Sequence, residues 1–170
     1  TAVDSSGNEY DAVVIEGEPV ATDDAIDGMA IEFDGASYLR SPYAGVQGND
    51  PRTIALWAKT SVNGGMVGWG ANANSEKWHF RNNTSASNGV VGAIRTEYAG
   101  SQTVALTDVR DGQWHHVVSV FEGDFPTDVT HYLDGLWDGQ SWVGATDLQI
   151  NTNSVEPEHN VTIGCRWQSE

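Results

Sequence analysis

The side chains best placed for chemistry sit in two short alternating segments. In Lys77-Trp78-His79-Phe80-Arg81-Asn82-Asn83, strand alternation puts Trp78, Phe80 and Asn82 on one face and Lys77, His79, Arg81 and Asn83 on the other. In Ala93-Ile94-Arg95-Thr96-Glu97-Tyr98, Arg95 and Glu97 share a face. If the two strands are neighbours, His79, Arg81, Arg95 and Glu97 form one patch of donors and acceptors suited to hydroxyl groups. Seven tryptophans in 170 residues add to this. Sugar rings lay their axial C–H faces on flat aromatics, while polar neighbours bond the hydroxyls. Trp57 and Trp114 read as core. Trp69, Trp78, Trp137, Trp142 and Trp167 fall in glycine-rich or polar segments, where burial is less obvious. The expected ligand-binding set is therefore Trp69, Trp78, His79, Arg81, Arg95, Glu97, Tyr98, Trp137 and Trp142. The competing reading is a solvated face with a salt bridge, worth little.

The conspicuous histidines carry less than they suggest. Asp111-Gly112-Gln113-Trp114-His115-His116 opens a strand after a turn. Adjacent strand residues point to opposite faces, so His115 and His116 are not placed to chelate one metal or share one proton relay. Paired acids are also incomplete. Retaining glycoside chemistry needs two carboxyls roughly 5–5.5 Å apart on one face. Glu9-Tyr10-Asp11 and Glu32-Phe33-Asp34 lack a further acid four or five residues after the glutamate.

The elements that must position these groups are strands. Apolar residues alternate with period two over Val13–Glu16, Met29–Phe33, Tyr38–Arg40, Thr53–Thr60, Gly65–Gly70, Lys77–Arg81, Val90–Glu97, Thr103–Leu106, His115–Phe121, Asp128–Leu133, Trp142–Gly144 and Val161–Arg166. Asn63-Gly64-Gly65, Asn88-Gly89, Asp111-Gly112 and Asp134-Gly135 supply turns between them. No window offers an amphipathic helix of about ten residues or more. The pattern predicts an all-β sandwich of two antiparallel sheets in a single domain over residues 1–170.

Composition narrows the partners. Twenty-four acids against eight bases give a net charge of −16. Such a surface repels phosphate backbones and anionic lipid, so no nucleic acid and no membrane insertion are expected. A strongly anionic polysaccharide is disfavoured for the same reason, unless the few arginines cluster at one site. No run of about 18 apolar residues exists. Cys165 has no second cysteine to pair with, so cysteine usage leaves the compartment open. The chain opens at Thr1 and is read as a mature or excised segment. Asn82, Asn83 and Asn160 stand in formal glycosylation sequons, a motif too common to prove a route.

Read in order, several segments resemble the laminin-G-like branch of the concanavalin A-like jelly rolls. They are Asp4-Ser5-Ser6-Gly7-Asn8, Gly28-Met29-Ala30-Ile31-Glu32-Phe33-Asp34-Gly35, Thr53-Ile54-Ala55-Leu56-Trp57-Ala58-Lys59, the Asp111–His116 run, Tyr132-Leu133-Asp134-Gly135 and Val161-Thr162-Ile163-Gly164. The resemblance spans residue 4 to about 166 and implies a two-sheet antiparallel jelly-roll sandwich. Relatives continue past the last of these segments with one more strand. The resemblance therefore implies a chain lacking its last strand after Glu170, or completed by another segment. Many relatives hold a structural calcium near the first strand, which implies Ca2+ with Asp4, Asn8 and Asp34 as its ligands. The plainer reading is that these side chains cap turns.

Two catalytic patterns are known on this fold. The endo-glucanase acid triplet is absent, as above. Alginate-lyase jelly rolls use Arg-(Thr/Ser)-Glu, then Gln-(Ile/Val)-His, then Tyr-x-Lys. Arg95-Thr96-Glu97 and Gln113-Trp114-His115 occur in that order, but no Tyr-x-Lys follows. The expected role is a non-catalytic carbohydrate-binding or adhesion module, lectin-like, within a larger secreted or surface protein of bacterial type. Its partners would be a polysaccharide or glycan and the other domains of that parent. A polysaccharide lyase or glycoside hydrolase of divergent motif, and a protein–protein adhesion domain, are the alternatives.

Overall fold

The computed structural model describes residues 1–165. Fourteen strands follow one another: β1 (Val13–Glu16), β2 (Val20–Thr22), β3 (Ala30–Glu32), β4 (Tyr38–Arg40), β5 (Arg52–Lys59), β6 (Gly65–Gly70), β7 (Lys77–Asn82), β8 (Ala93–Glu97), β9 (Ser101–Asp108), β10 (Trp114–Phe121), β11 (Val129–Leu133), β12 (Leu136–Trp137), β13 (Ser141–Gly144) and β14 (Thr162–Ile163). Helical structure among the described residues is limited to three single 3₁₀ turns. Every strand pairing is antiparallel.

The strands make an eight-stranded sheet, ordered β1-β4-β14-β6-β7-β8-β9-β13, a four-stranded sheet, ordered β12-β11-β10-β5, and the small β2-β3 hairpin. The two larger sheets face each other as the all-β jelly-roll sandwich that the alternation predicts. Their facing sides hold Phe80, Ile94, Ala105 and Val117 in one cluster, and Trp69, Trp78, Tyr98, Phe121 and Val129 in another. Strand β5 shows the rule in small. Ile54, Leu56 and Ala58 are half-buried against the core, while Thr53, Ala55, Trp57 and Lys59 are exposed. The hairpin is held to the four-stranded sheet through Asp24, which bonds Lys59 Nζ at 2.5 Å and accepts the Trp114 indole N–H at 3.0 Å.

Most expected strands fall within a residue or two of the observed ones. Val90–Gly92 is a turn instead of strand, because Gly92 adopts φ +88° and a Cβ there would meet Asp108 Oδ1 at 1.9 Å. Strands β2 and β12 are too short to show a period in sequence. The last expected strand is Thr162–Ile163; its expected end at Arg166 lies outside the described residues, as does Trp167.

Candidate functional site

Strands β7 and β8 are neighbours, with His79 opposite Glu97 and Arg81 opposite Arg95. Pairing continues in one line across the eight-stranded sheet: Val13, Arg40, Thr162, Gly68, His79, Glu97, Gln102 and Val143 are successive partners. Cross-strand partners share a face. This face is turned away from the other sheet, because the alternating residues Trp78, Phe80 and Ile94 are in the core. Four of the eight basic residues (Arg40, Lys77, Arg81 and Arg95) belong to it by strand position.

The face is recessed. Lys77 is 3% exposed and His79 1%, and Arg95 and Gln102 are also buried. At its centre Glu97 takes an ion pair from Lys77 through Oε1 and another from Arg95 Nη2 through Oε2 at 2.6 Å. Lys77 also donates to Asn72 Oδ1 at 3.1 Å. Burial alone would raise the Glu97 pKa. The Lys77 hydrogen bond, with the charges of Lys77, Arg95 and His79, outweighs it and holds the carboxyl down at about 2. Glu97 is therefore a fixed anion, an acceptor between two donors. It cannot serve as a general acid near neutral pH.

Beside this triad lies a cavity of about 230 Å³ bounded by Arg95, Glu97, Gln102, Val143, Gly100 and Gly144. Its glycines are required by contact. Gly144 (φ +93°) brings β13 so close to the β8–β9 turn that a Cβ would lie 2.4 Å from Gly100 O. The cavity is lined by fixed hydrogen-bonding groups and by no aromatic ring, so it suits one hydroxyl-rich residue better than a flat apolar ligand.

Of the nine expected binding residues, His79, Arg81, Arg95 and Glu97 come together. Trp78 and Tyr98 are fully buried and Trp69 nearly so, which corrects their placement as surface stackers. The physical reason is alternation. Trp78 lies opposite Trp69 on the core side and packs on Tyr98 and Phe121 at ring separations of 5.4 and 5.3 Å. Gly45, at φ +79°, lays its loop on the Trp69 indole, whose N–H donates to Val46 O at 2.9 Å. Trp142 lies opposite Thr103 at the sheet edge, and its indole N–H donates to Pro126 O at 3.1 Å. Trp137 belongs to the other sheet altogether. Trp57, read as core, is 48% exposed there. Gln102 and Val143 were missed. Their signal lies in pairing across strands, which no single segment displays.

The other chemical candidates separate. Gln113, Trp114 and His115 belong to the four-stranded sheet or the turn before it, so no Arg–Glu–His lyase constellation is assembled. His115 is clasped by Asp134 at 2.8 Å and Asp111 at 3.2 Å, whereas the His116 ring lies 5.2 Å from that of Trp57. The two histidines diverge, as alternation requires. The three residues that the resemblance implies as calcium ligands are engaged in local turn hydrogen bonds. Asp4 accepts from the Ser6 N–H, the Ser6 hydroxyl and the Tyr10 N–H, Asn8 Nδ2 donates to Ser6 Oγ, and Asp34 accepts from the Ala36 N–H. They cap turns, and among the described residues no three His, Cys, Asp or Glu side chains converge as a metal site.

Residues 33–169 match the family described as the concanavalin A-like lectin/glucanases superfamily, in its laminin-G-like form. The chain belongs to this superfamily. No curated protein matches it. Among solved structures, domain 4 of a GH43 extracellular arabinanase from Geobacillus stearothermophilus, in complex with arabinotriose, superposes with a TM-score of 0.66 at 17% identity, covering 96% of this chain and 78% of that one. Domains LG4-5 of the mouse laminin alpha1 chain superpose with a TM-score of 0.50 at 10% identity, covering 72% of this chain and 30% of that one. At such identities the likeness is one of fold, and the superfamily sandwich is what the strand register already shows. No helix among the described residues is long and apolar enough to cross a membrane.

Proposed function

We propose that this domain is a non-catalytic carbohydrate-binding module of a larger extracellular protein, and that the recessed face of the eight-stranded sheet holds the sugar. One observation carries the reading. Lys77, Glu97 and Arg95 are tied by ion pairs, with Gln102 opposite Glu97, and a cavity of about 230 Å³ opens against Arg95, Glu97 and Gln102. Donors and acceptors fixed before binding lose little entropy when a hydroxyl arrives. The presence of arabinotriose in the complex of a similarly folded domain supports a sugar as the ligand class. The capped turns at Asp4 and Asp34 support binding without calcium.

A soluble panel tests this, with arabino-, gluco- and uronate-bearing oligosaccharides titrated calorimetrically in calcium and in chelator. The expected result is binding that survives chelation and weakens at least tenfold in Gln102→Ala, whose melting temperature stays near that of the parent. Absence of any ligand at millimolar protein sinks the proposal. Product formation from any of these sugars would assign an enzyme instead.

A further inference from the structure

We propose that the outer face of the four-stranded sheet is a second, separate binding surface, an aromatic platform for an uncharged polysaccharide. Trp57 and Trp137 are 48% and 65% exposed on this face, at its two margins. Pairing fixes their relation. Trp57 stands opposite His116, while Trp137, Tyr132, Val118 and Ala55 form the adjacent line across all four strands. Three strand spacings across and two residues along separate the tryptophan backbones by about 16 Å. Tyr132, also exposed, lies between them. The His116 ring, 5.2 Å from the Trp57 indole, braces that indole from the side.

Burying such rings in a monomer would be the ordinary outcome, since each offers about 150–250 Å² of apolar surface. Here alternation gives the inner positions to Leu56, Val117, His131 and Leu133, and leaves the aromatics outside. The occupant follows from charge. Ala55, Trp57, His116, Val118, Tyr132 and Trp137 include no carboxylate, lysine or arginine, in a chain whose net charge is −16, and Lys59, the next outward residue after Trp57, is paired with Asp24. A second copy would bring another −16 towards this face and be repelled at low salt. An anionic polymer meets the same repulsion without a basic side chain among these six to offset it. A neutral chain of sugars has neither penalty, and its ring faces match spaced, flat aromatics. The cavity on the opposite sheet has no aromatic wall, so the two surfaces divide the work: a hydrogen-bonding cleft on one side, a stacking platform on the other.

Co-sedimentation with insoluble probes tests this independently of the cleft, using microcrystalline cellulose, insoluble xylan and insoluble arabinan. The expected result is that at least one polymer pellets the protein and that the Trp57→Ala/Trp137→Ala pair lowers the bound fraction at least tenfold. Trp137→Tyr retains most of the binding, since a flat ring remains. If the double variant fails to fold, as judged by its near-ultraviolet spectrum, Trp137→Ala alone carries the comparison. Three results overturn the proposal: no neutral polymer pellets the parent; the tryptophan variants pellet as the parent does; or sedimentation velocity shows a dimer that Trp137→Ala dissolves. Loss of cleft binding with the platform intact would count only against the function proposed above.

Discussion

Thr96 Oγ1 on the eight-stranded sheet and His131 Nε2 on the four-stranded sheet lie 2.9 Å apart in the middle of the sandwich, and both residues are fully buried. Ser119 Oγ, on the strand beside His131, is also 2.9 Å from the same hydroxyl. This is a polar tie between the sheets at a place where both neighbours along each strand are apolar or outward-facing. Thr96 Oγ1 is its hub, so removing that hydroxyl leaves Ser119 Oγ and His131 Nε2 buried without this partner, beside a His131 Nδ1 that already has none.

Thr96→Val keeps the shape and deletes the hydroxyl, and is expected to cost about 1–3 kcal/mol. Equilibrium denaturation in urea checks it. His131 is also held neutral, because burial pushes its pKa down to about 3. The unfolded chain binds that proton near the ordinary histidine value, so this residue contributes stability above about pH 6.5 that is lost as pH falls towards 3. His131→Phe should flatten that part of the profile.

Glu97 acts at lower pH and with the same sign. Its carboxyl is held at about 2, so its contribution is present above the unfolded carboxylate value and disappears as pH falls from about 4.5 to 2. Glu97→Gln removes the acceptor charge from Lys77 and Arg95. It should lower the melting temperature at pH 7 and remove the difference near pH 2, readable by calorimetry at the two pH values.

His115 has the opposite sign. Its partial burial would lower the pKa, but hydrogen bonds from its ring to Asp134 and Asp111 raise it above the ordinary histidine value. That stabilisation is complete below about pH 6.5 and is lost as pH rises through the folded value. An NMR titration of the His115 ring should therefore show a raised midpoint, falling towards 6.5 in Asp134→Asn.

The tryptophans should divide sharply in stability. Trp78→Ala empties a site between Trp69, Tyr98 and Phe121 and is expected to cost about 3–5 kcal/mol. Trp137→Ala removes a ring that is mostly in water and should change stability by no more than about 0.5 kcal/mol. Thermal melts of the two variants separate scaffold from surface, the distinction that counting tryptophans does not make.

How far the chain could be read depended on the range of the interactions involved. Alternation within Thr53–Thr60, Lys77–Arg81 and His115–Phe121 is local, and it located strands close to their observed ends. It also separated His115 from His116, because successive side chains on a strand point oppositely whatever lies around them. The pairing of Arg95 with Glu97 on one face was legible for the same reason. The inward tryptophans were not. Lys77–Arg81 splits into two faces in sequence, but nothing in the segment says which face meets the second sheet.

The sequence by itself determined the sandwich, its turns and the sets of residues that travel together on a face, since these follow from period-two geometry and left-handed glycines. Only the tertiary structure decided which set is core. Packing β5, β10 and β11 against β7, β8 and β9 buried Trp78 and Tyr98, turned Trp57 and Trp137 to water, and brought Gln102 beside Glu97. Burial is set by what lies opposite a face, and that belongs to the folded chain as a whole.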